Sequence, residues 1–250
     1  MTIIKHKWQG PLYSGLMILL LWELIALALR RPIVPSPVQV AINITQIFSS
    51  SIQTHLLYSL GRISAGIAIS IAIGVPLGYL MGYYRKIDKA LSSLIYFTYP
   101  VPKLALLPVV MLLFGLGEVS KIIMIVMIVV FQIVITARDA VHNIPQATFR
   151  SLRALGASRW QKLSEVMIPA SLPDILTATR VALGTAISIL FFTETFGTEF
   201  GMGYFIMDAW MRINYIEMYS GIVVLSLMGF TLFALIDLTE NLICGWRQNF

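Results

Sequence analysis

Charge is scarce in this chain. Only 12% of its 250 residues are Asp, Glu, Lys or Arg, while 58% are hydrophobic, and the mean hydropathy is +0.82. A soluble domain carries roughly a quarter charged residues. A deficit of this size cannot be hidden in a core, because most of a soluble protein's surface faces water. The chain is therefore read as an integral membrane protein. Cysteine is nearly absent too: Cys244 alone excludes an intrachain disulfide and a cysteine-only metal cluster. His6, His55 and His142 lie far apart, without zinc-ligand spacing, so no metal site is expected. No Gly-x-x-x-x-Gly-Lys-[Ser/Thr] run occurs, so the chain itself is not expected to hold ATP in a P-loop. The carboxylates are dispersed and no His/Asp/Cys set is clustered, which argues against a membrane enzyme. Internal repeats and low-complexity tracts are absent as well.

What the sequence has is long apolar runs. A helical span needs about 20 mostly apolar residues, and the candidates are residues 12–29, 60–83, 90–114, 122–137, 175–196 and 221–244. Outer-membrane strands alternate in hydrophobicity over about ten residues, whereas these runs are continuous. The expected fold is an all-α membrane protein with about six transmembrane helices. The first run is too long for a signal-peptide core and no small-residue cleavage site precedes Arg30 and Arg31, so an uncleaved span is expected.

Lys and Arg placement sets the expected orientation. With the N-terminus inside, the inner segments hold Lys5, Lys7, Arg85, Lys86, Lys89, Arg138, Arg150, Arg153, Arg159, Lys162, Arg180 and Arg247. The outer segments hold Arg30, Arg31, Lys121 and Arg212. This excess puts both termini and residues 137–174 in the cytoplasm. The net charge of +6 is read the same way, as loop charge and not as nucleic-acid binding. After the first run, Pro32, Pro35 and Pro37 fix an extended connector. Ser36 is placed to cap a helix with Pro37 at its first position, lying near the outer surface over residues 38–52. The organisation expected is an N-terminal span and connector (1–58) and a core (59–250).

Runs two and three look broken. Run two carries Gly66, Gly74, Pro76, Gly78 and Gly82, and run three carries Pro100, Pro102 and Pro108. Small residues at such spacing let helices approach closely. Prolines remove backbone donors, and in a membrane such breaks persist only against protein or a wet cavity. Pro100, Pro102 and the mid-run cation Lys103 are therefore candidates for lining a pathway, joined by Glu194 from run five. Two plainer accounts stand beside this: a kink that only aids packing, and a Lys103 that snorkels or pairs with a carboxylate such as Glu194. Arg62 is expected to be a structural anchor. Asp237 and Glu240 are expected at the inner interface.

The polar stretch 137–174 interrupts this apolar bulk. At about 100° per residue, Phe149, Leu152 and Leu155 fall on one face of a helix and Arg150 and Arg153 on another. Gly156 suits its end. So short a helix is not stable alone in water. It is expected to lie in a groove, apolar side down, with its arginines free for carboxylates or carbonyls. Rest on anionic headgroups is the alternative.

Gly156 followed by Val166-Met167-Ile168-Pro169 resembles the cytoplasmic signature of binding-protein-dependent ABC transporter permeases. That signature reads Glu-Ala-Ala, three residues, Gly, nine residues, then Ile-x-Leu-Pro. The Gly and Pro positions match, while Arg150, Ser151 and Leu152 stand at the Glu-Ala-Ala positions. Further segments resemble the nitrate/sulfonate/taurine (bicarbonate) branch of that family. They include Val34-Pro35-Ser36-Pro37, Ser59-Leu60-Gly61-Arg62, Gly74-Val75-Pro76-Leu77-Gly78 and Tyr99-Pro100-Val101-Pro102. Phe114-Gly115-Leu116-Gly117-Glu118, Leu155-Gly156-Ala157-Ser158-Arg159 and Gly201-Met202-Gly203-Tyr204 complete the set.

The resemblance implies a pore subunit of an importer in the cell inner membrane, embedded in the lipid bilayer and not itself an enzyme. It implies a second permease copy, two cytoplasmic ABC ATPases holding ATP and Mg, and an extracytoplasmic solute-binding protein. The ATPases would grip a coupling helix formed by Phe149, Arg150, Leu152, Arg153, Leu155, Gly156 and Ala157, with Pro169 completing the signature. Glu194 and Glu199 would belong to an outer gate, a binding-protein contact or ordinary interfacial solvation. The implied cargo is a small anion such as nitrate, a sulfonate, taurine or bicarbonate; a vitamin precursor of pyrimidine or riboflavin type is the alternative. An ion-coupled secondary transporter is disfavoured, because no inverted pair of halves is visible.

Overall fold

A computed structural model describes the backbone of residues 3–245 and the side chains of residues 13–245. The side chains of Lys5, His6, Lys7 and Leu12, and all of Arg247, lie outside the described residues. Among the described residues the elements are helices: α1 (Ile3–Leu29), α2 (Pro37–Ile47), α3 (Gln53–Tyr83), α4 (Arg85–Thr98), α5 (Leu107–Phe114), α6 (Glu118–His142), α7 (Gln146–Ala154), α8 (Arg159–Lys162), α9 (Ile168–Glu194), α10 (Met202–Met211) and α11 (Tyr215–Ile243).

Ser36 begins α2 as expected. Its hydroxyl accepts from the Gln39 N–H while the Gln39 side chain accepts from the Ser36 N–H, with Pro37 in the first turn. The helix does not stop at residue 52, however. It continues through one π-turn, Phe48–Ile52, into α3, giving a helical rod Pro37–Tyr83. Residues 47–60 contain no proline or glycine to end it. The expected boundary at 58/59 thus falls inside one helix.

Among the described residues, four helical stretches are long and apolar enough to cross a membrane: Pro37–Tyr83, Glu118–His142, Arg159–Glu194 and Tyr215–Ile243. A fifth arises if α4 and the segment Lys103–Phe114, bent by 78°, count as one broken span. The first expected run is helical, but its described apolar part, Tyr13–Leu29, falls short of span length. The break in run three is real. The break expected in run two is not: α3 runs unbroken through Pro76, a position that neighbouring helices make tolerable in a membrane.

The core is built from α3, α6 and α9. Gly74, Gly78 and Gly82 of α3 recur every four residues and so share one face. A Cβ on Gly78 would lie 2.6 Å from the Val134 carbonyl oxygen, and one on Gly82 2.7 Å from that of Arg138. The two backbones therefore touch, and the packing account of the run-two glycines is what the structure supports. Gly66 faces Ile125 and Gly82 faces Val141, so α3 and α6 run parallel. Helix α9 returns antiparallel and brings Ile189 and Leu190 against Ile63, Met124, Ile125 and Val129. One end of this bundle carries Arg138, Arg150, Arg153, Arg159 and Lys162 and is called the basic end below. The opposite end carries Glu118, Lys121 and Glu194.

Candidate functional site

At the basic end, α6 stops at His142, and Pro145 opens α7. Phe149, 7% exposed, enters a pocket of Tyr79, Ala137, Val141, Ile144, Met167 and Ile175. Its ring meets that of Tyr83 edge-on, centroids 5.7 Å apart. Tyr79 Oη lies 2.6 Å from Ser171 Oγ across the floor of the pocket. Helices α3, α6 and α9 thus all contribute to one socket.

Leu152 is half-buried beside it, but Leu155 is 82% exposed. Leu155 is the C-cap of α7, where the backbone is leaving the helix, so it cannot share the Phe149 face as the periodicity predicted. Gly156 takes φ +73°. Its N–H donates to Arg153 O and the Ala157 N–H donates to Leu152 O, the paired bonds of a left-handed helix stop. Ser158 then caps α8, pairing reciprocally with Gln161. Helix α9 starts at the signature's end, with Pro169 in its first turn. Arg150, Arg153, Leu155, Arg159 and Trp160 stay exposed around the anchored Phe149.

Pro100 and Pro102 form the sharp break between α4 and the single 3-10 turn Lys103–Leu106, and both are exposed. Pro102 has no N–H to offer the Thr98 carbonyl one turn back. Lys103 compensates. Its ammonium donates to Thr98 O (3.3 Å) and Tyr99 O (3.2 Å) and lies over the rings of Phe131 (4.7 Å) and Tyr99 (5.4 Å). Its partners are carbonyls and π-faces, not Glu194.

Glu194 lies at the opposite end, completely buried and paired with Arg62 at 2.7 Å. It accepts from Ser59 Oγ (2.8 Å) and from the Gly203 N–H (2.9 Å) as well. Arg62, 2% exposed, also grips Glu118 through both Nε (2.6 Å) and Nη2 (2.5 Å), and donates to Phe200 O. This bears out Arg62 as an anchor. Lys121 is the surprise. Orientation reasoning counted it among outer loop charges, yet it is fully buried, donating to Leu116 O (2.6 Å), Gly117 O (3.2 Å) and Gly197 O (3.4 Å). The sequence carried only a faint signal for this: Lys121 lies one turn after Glu118 on the same helix face. Asp237 and Glu240 both bind Arg180 in the middle of α9, tying α11 to the core.

The geometry defines a class first. It is a polytopic helical membrane protein whose three core helices jointly hold a short, basic, outward-presenting helix at one end, beside an apolar helix pair bent by 78°. The particular family follows: residues 74–243 match the binding-protein-dependent transport system inner membrane component, and the chain belongs to that family. It is 30% identical to the formylaminopyrimidine transport permease protein ThiX of Halalkalibacterium halodurans, over 98% of this chain and 99% of that one. It is 31% identical to the taurine transport system permease protein TauC of Escherichia coli, over 91% and 89%. A bacterial alginate ABC transporter, solved with an alginate pentasaccharide-bound periplasmic protein, shares the fold with TM-score 0.61 and 16% identity, covering 96% of each chain. The chain is thus a multi-pass ABC importer permease, a pore subunit and not an enzyme.

Proposed function

We propose that this permease works with its basic end in the cytoplasm, as one of two copies lining the pore. Two ATPase subunits hold the ATP and Mg and grip α7, and an exported binding protein delivers a small solute to the opposite end. The observation that carries this reading is the seating of α7. Phe149 roots it in a socket shared by α3, α6 and α9, while Arg150, Arg153, Leu155 and Trp160 face outward. A pull on α7 therefore reaches every core helix. Placement of the basic end inside the cell rests on the excess of Lys and Arg there.

For the solute, the likeness to the taurine permease and to an aliphatic sulfonates permease favours a small anion or a small solute bearing a sulfonate group. Lys103 suits such cargo: it sits at the broken span, half-buried, with two of its three N–H donors engaged by carbonyls. The formylaminopyrimidine permease, aligned over nearly the whole chain, supports a vitamin precursor as the second reading. The test is reconstitution of the permease with its cognate P-loop ATPase and exported binding protein. ATP-driven uptake into vesicles is measured with taurine and with formylaminopyrimidine as separate probes. Taurine uptake supports the first reading and formylaminopyrimidine uptake the second. Failure of any ATPase to co-purify would sink both.

A further inference from the structure

The buried charges at the end opposite α7 form a closed set. Arg62 and Lys121 are balanced by Glu118 and Glu194, and of these only Glu118 reaches the surface, its side chain 49% exposed. Charged groups placed in a membrane bundle are costly unless fully partnered, and these are. The guanidinium spends its donors on two carboxylates, Phe200 O and Thr198 Oγ1. The ammonium of Lys121 has three carbonyl acceptors.

The partners share a pattern. Lys121 takes two carbonyls from the 115–117 turn between α5 and α6 and one from Gly197 in the loop between α9 and α10. Arg62 takes Glu118, next to that turn, and Glu194, Thr198 and Phe200, in or next to that loop. Both cations thus bridge the same two segments. Leu116 packs directly on Gly197 between them. On the far side of the turn lies α5, eight residues long, with Leu107 and Val110 buried in the core and Leu112 and Leu113 exposed. It lies between two breaks: the Tyr99–Pro102 bend, and Gly115, which takes φ +81° with open space around it.

We propose that Arg62 and Lys121 are positioning residues that clamp the α5–α6 turn to the α9–α10 loop, so that the two form one rigid lip at the outer mouth of the pathway. This inference rests on the permease reading for its place in transport, but the clamp itself is tested separately.

The test is a disulfide across the lip. A Cβ at Gly197 would lie 3.1 Å from Leu116 Cβ, closer than the roughly 3.5–4.5 Å of a disulfide, and Gly197 has φ +57°, so the bond forms after a small local shift. In a chain with Cys244→Ser, the pair Leu116→Cys/Gly197→Cys should oxidise in membranes. In the permease–ATPase complex, the oxidised form should hydrolyse Mg-ATP within twofold of the reduced form, because a rigid lip loses nothing by being stapled. A loss beyond tenfold that dithiothreitol reverses would mean that the lip parts in every cycle, and would overturn the proposal. Adding Lys121→Met should slow disulfide formation at least fivefold, and Lys121→Arg should restore it; an unchanged rate with Met removes Lys121 from the clamp. The cross-linking rate needs no ATPase or solute. If no ATPase assembles on the unaltered chain, the permease reading fails while the clamp still stands or falls on that rate.

Discussion

Replacing Phe149 with alanine empties the socket that holds α7. A buried Phe→Ala change costs about 3–5 kcal/mol, and each 1.4 kcal/mol is a tenfold change in an equilibrium. Helix α7 has nine residues, too few to be stable by its own hydrogen bonds in water, so nearly all of that loss falls on the seated state of this one segment. The seated population relative to the unseated one should drop by about 100-fold or more. Co-purification with the ATPase, titrated in detergent, should weaken at least tenfold while membrane insertion and yield hold. Leu155→Ala is the partner experiment. At 82% exposed, Leu155 supports nothing inside the chain, so its removal should shift stability by no more than about 0.5 kcal/mol yet still reduce ATPase binding. If Phe149→Ala binds the ATPase as the parent does, α7 is not the docking element and the reasoning fails.

Other outcomes follow from the same geometry. Arg62→Met strands Glu194 uncompensated in the interior and should cost about 3–5 kcal/mol, seen as a clear fall in detergent melting temperature. Glu118→Gln, at a half-exposed partner, should cost much less, and equal losses would refute the asymmetry of the network. Gly156→Ala meets no steric obstacle but must adopt a left-handed backbone, for about 1–2 kcal/mol; a neutral effect would show that the turn had rearranged. Gly78→Ala pushes α3 off α6 and should be strongly destabilising, whereas Gly61→Ala, with open space around it, should be neutral or slightly stabilising, as thermal denaturation of the pair will show. Lys103→Met should lower uptake of an anionic solute at normal expression, and full transport would remove Lys103 from the pathway.

Much of the fold was legible because its causes are local. Apolar run length announced the core spans, Ser36 and Pro37 announced the start of α2, and Gly156 announced the stop after α7. Pro100 and Pro102 announced the bend, since a missing donor is a property of the residue itself. What stayed hidden is set by partners distant in sequence. Glu194 finds Arg62 across 132 positions, and nothing in either neighbourhood specifies the other. Lys121 reads as a loop cation until the carbonyls of the 115–117 turn and Gly197 are seen to converge on it. Pro76 misled for the same reason: its lost hydrogen bond is tolerated because α6 packs alongside. Leu155 misled because helical periodicity was carried one residue past the last turn.

The glycine seam between α3 and α6 has a mechanical corollary. Two helices whose backbones touch over about two turns, from Gly74 to Gly82, resist sliding or bending apart, and together they act as a single plank. Helix α6 has 25 residues, a length of about 37 Å at 1.5 Å per residue. Its foot forms part of the Phe149 socket and its head holds Glu118 and Lys121. Work done by a motor on one face of the bilayer would therefore arrive at the other as displacement, with little lost to compliance on the way.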